Sequence, residues 1–205
     1  MLQSQETGTI TDIDGNQYKT VKIGDRWWMA ENLRVSKYLN GDDIPNVTDD
    51  VEWSKLSTGA WAYYENDSSN NDRYGKLYNW FAVNDSRGLC PTGWHMPDDD
   101  EWTMLTEYLG DNAGGKMKST RTDTETHPRW EFPNLKATNE SGLSGTPGGY
   151  RHFSGGFGLI GDSGFWWSFT EDETTRAWYR YLYAYNGDVG RDKGTGFSVY
   201  CISNE

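Results

Sequence analysis

The sequence predicts an α+β domain, with two helices in the middle of the chain and strands at both ends. Three observations carry that expectation. Tyr18 to Ile23 and Gly196 to Ile202 alternate with a period of two, as half-buried strands do. Pro97-Asp98-Asp99-Asp100-Glu101-Trp102 is a helix start placed near mid-chain. Between these, 24 glycines punctuate short aromatic segments, with no internal repeat and no inter-domain linker. At 205 residues the chain is long enough for one domain with a sizeable core.

Taken in order, Thr9-Ile10-Thr11 leads into Asp14-Gly15, a strong turn signal, and then into the alternating strand from Tyr18. Gly24-Asp25 turns the chain back into a second strand, Arg26-Trp27-Trp28-Met29. Residues 36–73 are loop-rich and hold the short aromatic strand Trp61 to Tyr64. Leu77, Trp80 and Phe81 fall at i, i+3, i+4 and predict a short amphipathic helix over Leu77 to Val83. In the second helix Asp98 caps the first turn and Glu101 reaches back to complete a capping box. Its acidic first turn suits the positive end of the helix dipole. Trp102, Leu105 and Leu109 form its buried stripe, and Gly110 stops it. Trp178 to Tyr185 reads as an aromatic strand, and Gly196 to Ile202 as the strand that closes the domain against the N-terminus.

Composition narrows the function classes. Hydrophobic residues make up 35% of the chain while aromatics reach 15%, so Trp and Tyr are expected to build the core. A net charge of -12 repels a phosphate backbone and an anionic membrane surface alike. No apolar run is long enough to span a bilayer. Met1 to Glu6 is polar and lacks the apolar stretch of a signal peptide; the expectation is a mature extracytoplasmic chain without its leader. Cys90 and Cys201 are the two cysteines, and composition alone leaves them equally readable as a disulfide or as free thiols.

Catalytic and metal constellations are weak. His95, His127 and His152 have no paired-ligand spacing for zinc. There is no Gly-x-Ser-x-Gly elbow and no phosphate cradle. Asp12-Ile13-Asp14-Gly15-Asn16 resembles the opening of a calcium loop. Ile23, however, stands where a bidentate Glu is needed, so a β-turn accounts for it better. No cofactor is expected, and calcium has no motif to support it.

Several stretches together resemble the Fibrobacter succinogenes major paralogous domain. They are Trp27 to Leu33, Tyr74 to Trp80, Gly88 to Pro97, Ala137 to Leu143, Pro147 to Arg151, Phe165 to Ser168 and Gly196 to Cys201. The resemblance runs from about Gly8 to the end of the chain, leaving residues 1–7 as a tail and 8–205 as one domain. It implies a C-type-lectin-like fold with paired termini and a long loop region. It also implies a secreted protein or surface lipoprotein of Bacteroidetes-type bacteria, and it favours a Cys90–Cys201 disulfide because both residues lie inside shared motifs. Two departures limit it. The calcium-binding lectin motifs are missing apart from Glu131-Phe132-Pro133-Asn134, and the redox cysteine pair of formylglycine-generating enzymes is reduced to Cys201.

The resulting expectation is a surface or secreted binding module, not an enzyme. It would recognise a glycan or protein ligand through loops near the last strands, with no nucleic-acid partner. The candidate ligand residues are Tyr179, Tyr183, Tyr185, Asn186, Asp188 and Arg191, which combine rigid ring area with adaptable hydrogen bonds. The same segment reads equally well as a core strand followed by a polar hairpin. Two alternatives stand beside the binding role: a structural or adhesin assembly domain, and an enzyme acting on glycans or sulfated substrates.

Overall fold

The computed structural model describes residues 5–120, 130–183, 187–188 and 191–204. Fourteen strands, five α-helices and two single-turn 3-10 helices are assigned among them, and only one helix exceeds five residues. The expected α+β, C-type-lectin-like fold with two helices is therefore corrected: the chain is mostly β, arranged as two sheets.

The first sheet begins with β1 (Thr7–Thr11), β2 (Gln17–Ile23) and β3 (Arg26–Met29), an antiparallel meander whose register runs Thr7↔Val21 and Val21↔Trp28. The turn between β1 and β2 is organised by Asp12. Its carboxylate accepts the backbone N–H groups of Asp14 and Asn16, the Asn16 amide and the Tyr18 hydroxyl. Those four donors occupy the carboxylate that a calcium loop would use as a ligand. The sheet is completed by β14 (Ile202–Ser203) and β6 (Trp94–His95) in the order β1-β2-β3-β14-β6. The strand near the end of the chain thus pairs with β3, two strands away from β1.

The second sheet has nine strands, on a path that runs β11-β10-β9-β7-β13-β5-β4 with β8 on β7 and β12 on β10. Its members are β4 (Trp61–Ala62), β5 (Leu77–Asn79), β7 (Gly148–Arg151), β8 (Phe157–Ile160), β9 (Gly164–Glu173), β10 (Arg176–Leu182), β11 (Gly187–Asp188), β12 (Arg191–Asp192) and β13 (Gly196–Phe197).

The helices are α1 (Asp50–Trp53), α2 (Asn71–Tyr74), α3 (Trp80–Val83), α4 (Asp99–Leu109) and α5 (Ala113–Met117). In α4 Asp98 and Glu101 make the reciprocal capping box that the sequence predicts, and Trp102 and Leu105 are buried. The helix expected over Leu77 to Val83 is half that length. Leu77, Tyr78 and Asn79 are all buried in β5, and the Asn79 side chain then caps α3 by accepting the Ala82 N–H.

The single closing strand expected over Gly196 to Ile202 divides in two. Gly196–Phe197 belongs to the second sheet and Ile202–Ser203 to the first. Residues 195–203 are all buried, so no polar face alternates with an apolar one. Between the two strands, Ser198 O accepts Trp167 N–H, Val199 O accepts Leu33 N–H, and Cys201 O accepts Met29 N–H. The segment is the seam between the sheets. Its rings meet the aromatic core, with Phe197 4.6 Å from Trp167 and Tyr200 5.4 Å from Trp166. Cys90 and Cys201 are disulfide-bonded within this core.

Candidate functional site

The candidate site is built on the β7–β8 hairpin and the turn that follows it. Where the hairpin turns, Arg151, the last residue of β7, is fully buried. Its guanidinium donates to Gly155 O, Val47 O, Thr48 O and Asp50 Oδ1, and lies 4.3 Å from the centre of the Trp53 ring. Gly155, at φ +108°, packs so closely on Asp50 that a Cβ would fall 2.3 Å from Asp50 Cβ. A side chain there would push the hairpin away from α1. Above this clamp the tip is ordered by His152: its N–H donates to Gly156 O and its Nδ1 pairs with Ser154 Oγ at 2.7 Å. Phe153 is left exposed with its ring 4.1 Å from the His152 ring.

Leu159, near the end of β8, adopts φ +62°, a region that a branched side chain enters at a cost of about 1–3 kcal/mol. Its carbonyl accepts both Asp162 N–H and Ser163 N–H, and Gly161 N–H donates to Pro147 O. These bonds hold the turn while the Leu159 side chain is exposed.

Two concavities flank this turn. One, of 280 Å³, is lined by Tyr150, His152, Phe153, Leu159, Phe165 and Phe197, with Thr195 as a further polar group. The other, of 240 Å³, holds Trp130, Phe132, Asn134, Leu135, Asp162 and Tyr183. Phe132 is 79% exposed, the highest value among the large apolar side chains of the described residues, and Leu135 and Tyr183 are exposed beside it. Beneath them Lys118 is buried; its ammonium donates to Leu135 O and sits 5.1 Å from the Trp130 ring centre. Burial lowers the pKa of that ammonium. Asn134 donates to Ser119 O, whereas its buried Oδ1 has no partner. The face therefore combines exposed rings with unspent hydrogen-bonding capacity.

The candidate residues read from sequence are distributed differently. Tyr179 is buried, with its ring 4.9 Å from Phe197 and 6.0 Å from Phe165. Tyr183 is exposed and lines the second concavity. Asp188 lies in β11 opposite Arg180, and Arg191 in β12 opposite Ala177, so both backbones flank β10. Tyr185 and Asn186 lie outside the described residues. Sequence reasoning did not select Phe132, Leu135, Phe153 or Leu159. The available signal was an isolated apolar residue inside a polar turn, as in His152-Phe153-Ser154-Gly155. Among the described residues, no group of three His, Cys, Asp or Glu side chains could hold a metal ion.

Fold and site define a mostly β, disulfide-closed domain with an exposed aromatic face. The chain belongs to the Fibrobacter succinogenes major domain family, whose profile matches residues 21–203 and so covers the second sheet, this face and the first sheet from Val21 onward. Comparisons with curated proteins and with solved structures return no match. The disulfide fits an extracytoplasmic protein, and among the described residues no helix is long and apolar enough to cross a membrane.

Proposed function

We propose that this domain is a binding module of the bacterial surface or exterior, and that its aromatic face takes a glycan. The observation that carries the reading is the grouping of exposed Phe132, Leu135, Tyr183, Leu159 and Phe153 around one turn with two concavities. Exposed apolar patches of this kind mark recognition surfaces. A sugar presents an apolar C–H face to a ring and hydroxyls to its edge, and both halves are matched here. The rings of Phe132 and Tyr183 offer stacking area, and the Asp162 carboxylate offers an acceptor. Binding is the role proposed, without turnover. Tyr179 is excluded from the contact set by its burial.

The test is a glycan array with the folded domain, repeated with Phe132→Ala and Tyr183→Ala. Saturable binding lost in both variants, with unchanged thermal stability, supports the reading. Retention of binding by both variants, or capture of proteins only, would replace it with a different face or a protein ligand.

A further inference from the structure

A cleft on another part of the molecule shares no described residue with the aromatic face. It has a volume of 480 Å³ and lies between the first sheet, α2 and the segments on either side of 121–129. No aromatic ring lines it; hydroxyl, amide and charged side chains dominate.

Three features give it ligand-directed chemistry. First, among the described residues, cations outnumber carboxylates along its walls, with Lys19, Arg34 and Arg73 against Glu31 and Asp72, on a chain that has 19 basic and 31 acidic residues. Glu31 is already engaged, accepting the Lys19 N–H at 2.6 Å and lying 3.9 Å from the Arg34 guanidinium. Lys19 and Arg73 make no salt bridge among the described residues. An acidic protein repels anions over most of its surface, so a cation-rich cleft singles out where one is accepted.

Second, Ser119 lines the cleft at 5% exposure, and its Oγ has no hydrogen-bond partner. A buried hydroxyl left unpaired costs about 1–3 kcal/mol, which a ligand hydroxyl or carboxylate would offset. Third, the wall is rigid. Asn32 is held by Tyr74 O, Thr146 Oγ1, Ser198 Oγ and Trp166 Nε1, so its amide is committed to structure.

From this geometry we infer that the cleft is a second ligand site, selective for a carboxylated saccharide such as a uronate oligomer. The carboxylate meets Arg73 and Lys19, and the sugar hydroxyls meet Ser119 and the threonine-rich walls. The inference does not depend on the aromatic-face reading, because the two sites have separate residues.

Isothermal titration calorimetry with a galacturonate trisaccharide and its neutral galactose counterpart tests it. The acidic sugar is expected to bind saturably and the neutral one at least about tenfold more weakly, the scale of one charge-assisted contact. Arg73→Ala should lose about tenfold in affinity for the acidic sugar. Ser119→Ala should weaken binding without unfolding the domain, since its hydroxyl has no internal partner to lose. Met104→Ala, at an exposed position on α4 that lines neither site, should change nothing. Equal binding of both sugars, no binding of either, or an affinity that survives Arg73→Ala and Ser119→Ala would overturn the inference. Loss of acidic-sugar binding on Phe132→Ala alone would overturn it too, by placing that ligand on the aromatic face.

Discussion

The indole N–H of Trp166 donates to Asn32 Oδ1 at 2.8 Å, joining β9 of the second sheet to the segment that follows β3 of the first. Both residues are buried, and the Asn32 amide also faces Tyr74 O at 2.7 Å. Asn32→Ala removes the acceptor of the buried indole N–H and the amide that donates to Tyr74 O. The expected loss is about 3 kcal/mol, because stranded buried polar groups cost more than the bond itself contributes. Urea unfolding should show a lower midpoint with an unchanged slope.

The Cys90–Cys201 bond spans 111 residues. Loop-closure entropy for that length corresponds to about 5 kcal/mol of stabilisation, which reduction removes. A domain carrying Cys90→Ala and Cys201→Ala should unfold at markedly lower guanidinium concentration. A reductant should lower the midpoint of the parent protein and leave that of the double variant unchanged.

Stability should pass through a maximum in alkaline solution. Lys76 is buried above the Trp61 ring, 4.1 Å from its centre, and burial holds its pKa down to about 8 from an ordinary 10.5. Between those values the unfolded chain carries a proton that the folded chain lacks, so stability increases as pH rises. Lys118, also lowered by burial, adds in the same direction. Burial pushes the Tyr18, Tyr78 and Tyr200 hydroxyls well above 10. Above pH 10 the unfolded chain therefore releases protons that the folded chain keeps, and stability falls. Denaturation midpoints measured from pH 7 to 11 should trace this rise and fall. Lys76→Met should reduce the rise and leave the fall in place.

Asp98→Ala removes the side chain that accepts Glu101 N–H at the start of α4. It should cost about 1 kcal/mol, the usual worth of an N-cap, and lower the melting temperature by a few degrees. Asp98→Asn should restore most of the loss, since an amide oxygen caps nearly as well.

The elements legible in the sequence were those specified by local chemistry. Asp14-Gly15 and the alternation after Tyr18 define the N-terminal hairpin, and Asp98 with Glu101 defines the start of α4. What escaped depended on depth in the finished fold. Leu77, Trp80 and Phe81 keep helical spacing, yet a strand occupies the first half because Leu77 to Asn79 are enclosed on all sides. Tyr179 and Tyr183 share one face of an extended chain by parity, but one is buried and the other has run past the core. Period predicts which way a side chain points, not whether protein or water waits there. Phe132 and Leu135 sit in a segment without regular structure, where no periodicity exists to be read.

The seam formed by residues 196–203 has a consequence for biogenesis. Each sheet draws a strand from it, and Val199, Tyr200 and Cys201 link the two. Neither sheet can be finished without this stretch, so the fold locks only after residues 196–203 have left the ribosome. Until then the tryptophan-rich interior stays uncovered, and chaperones and proteases would meet the residues before it as an open chain.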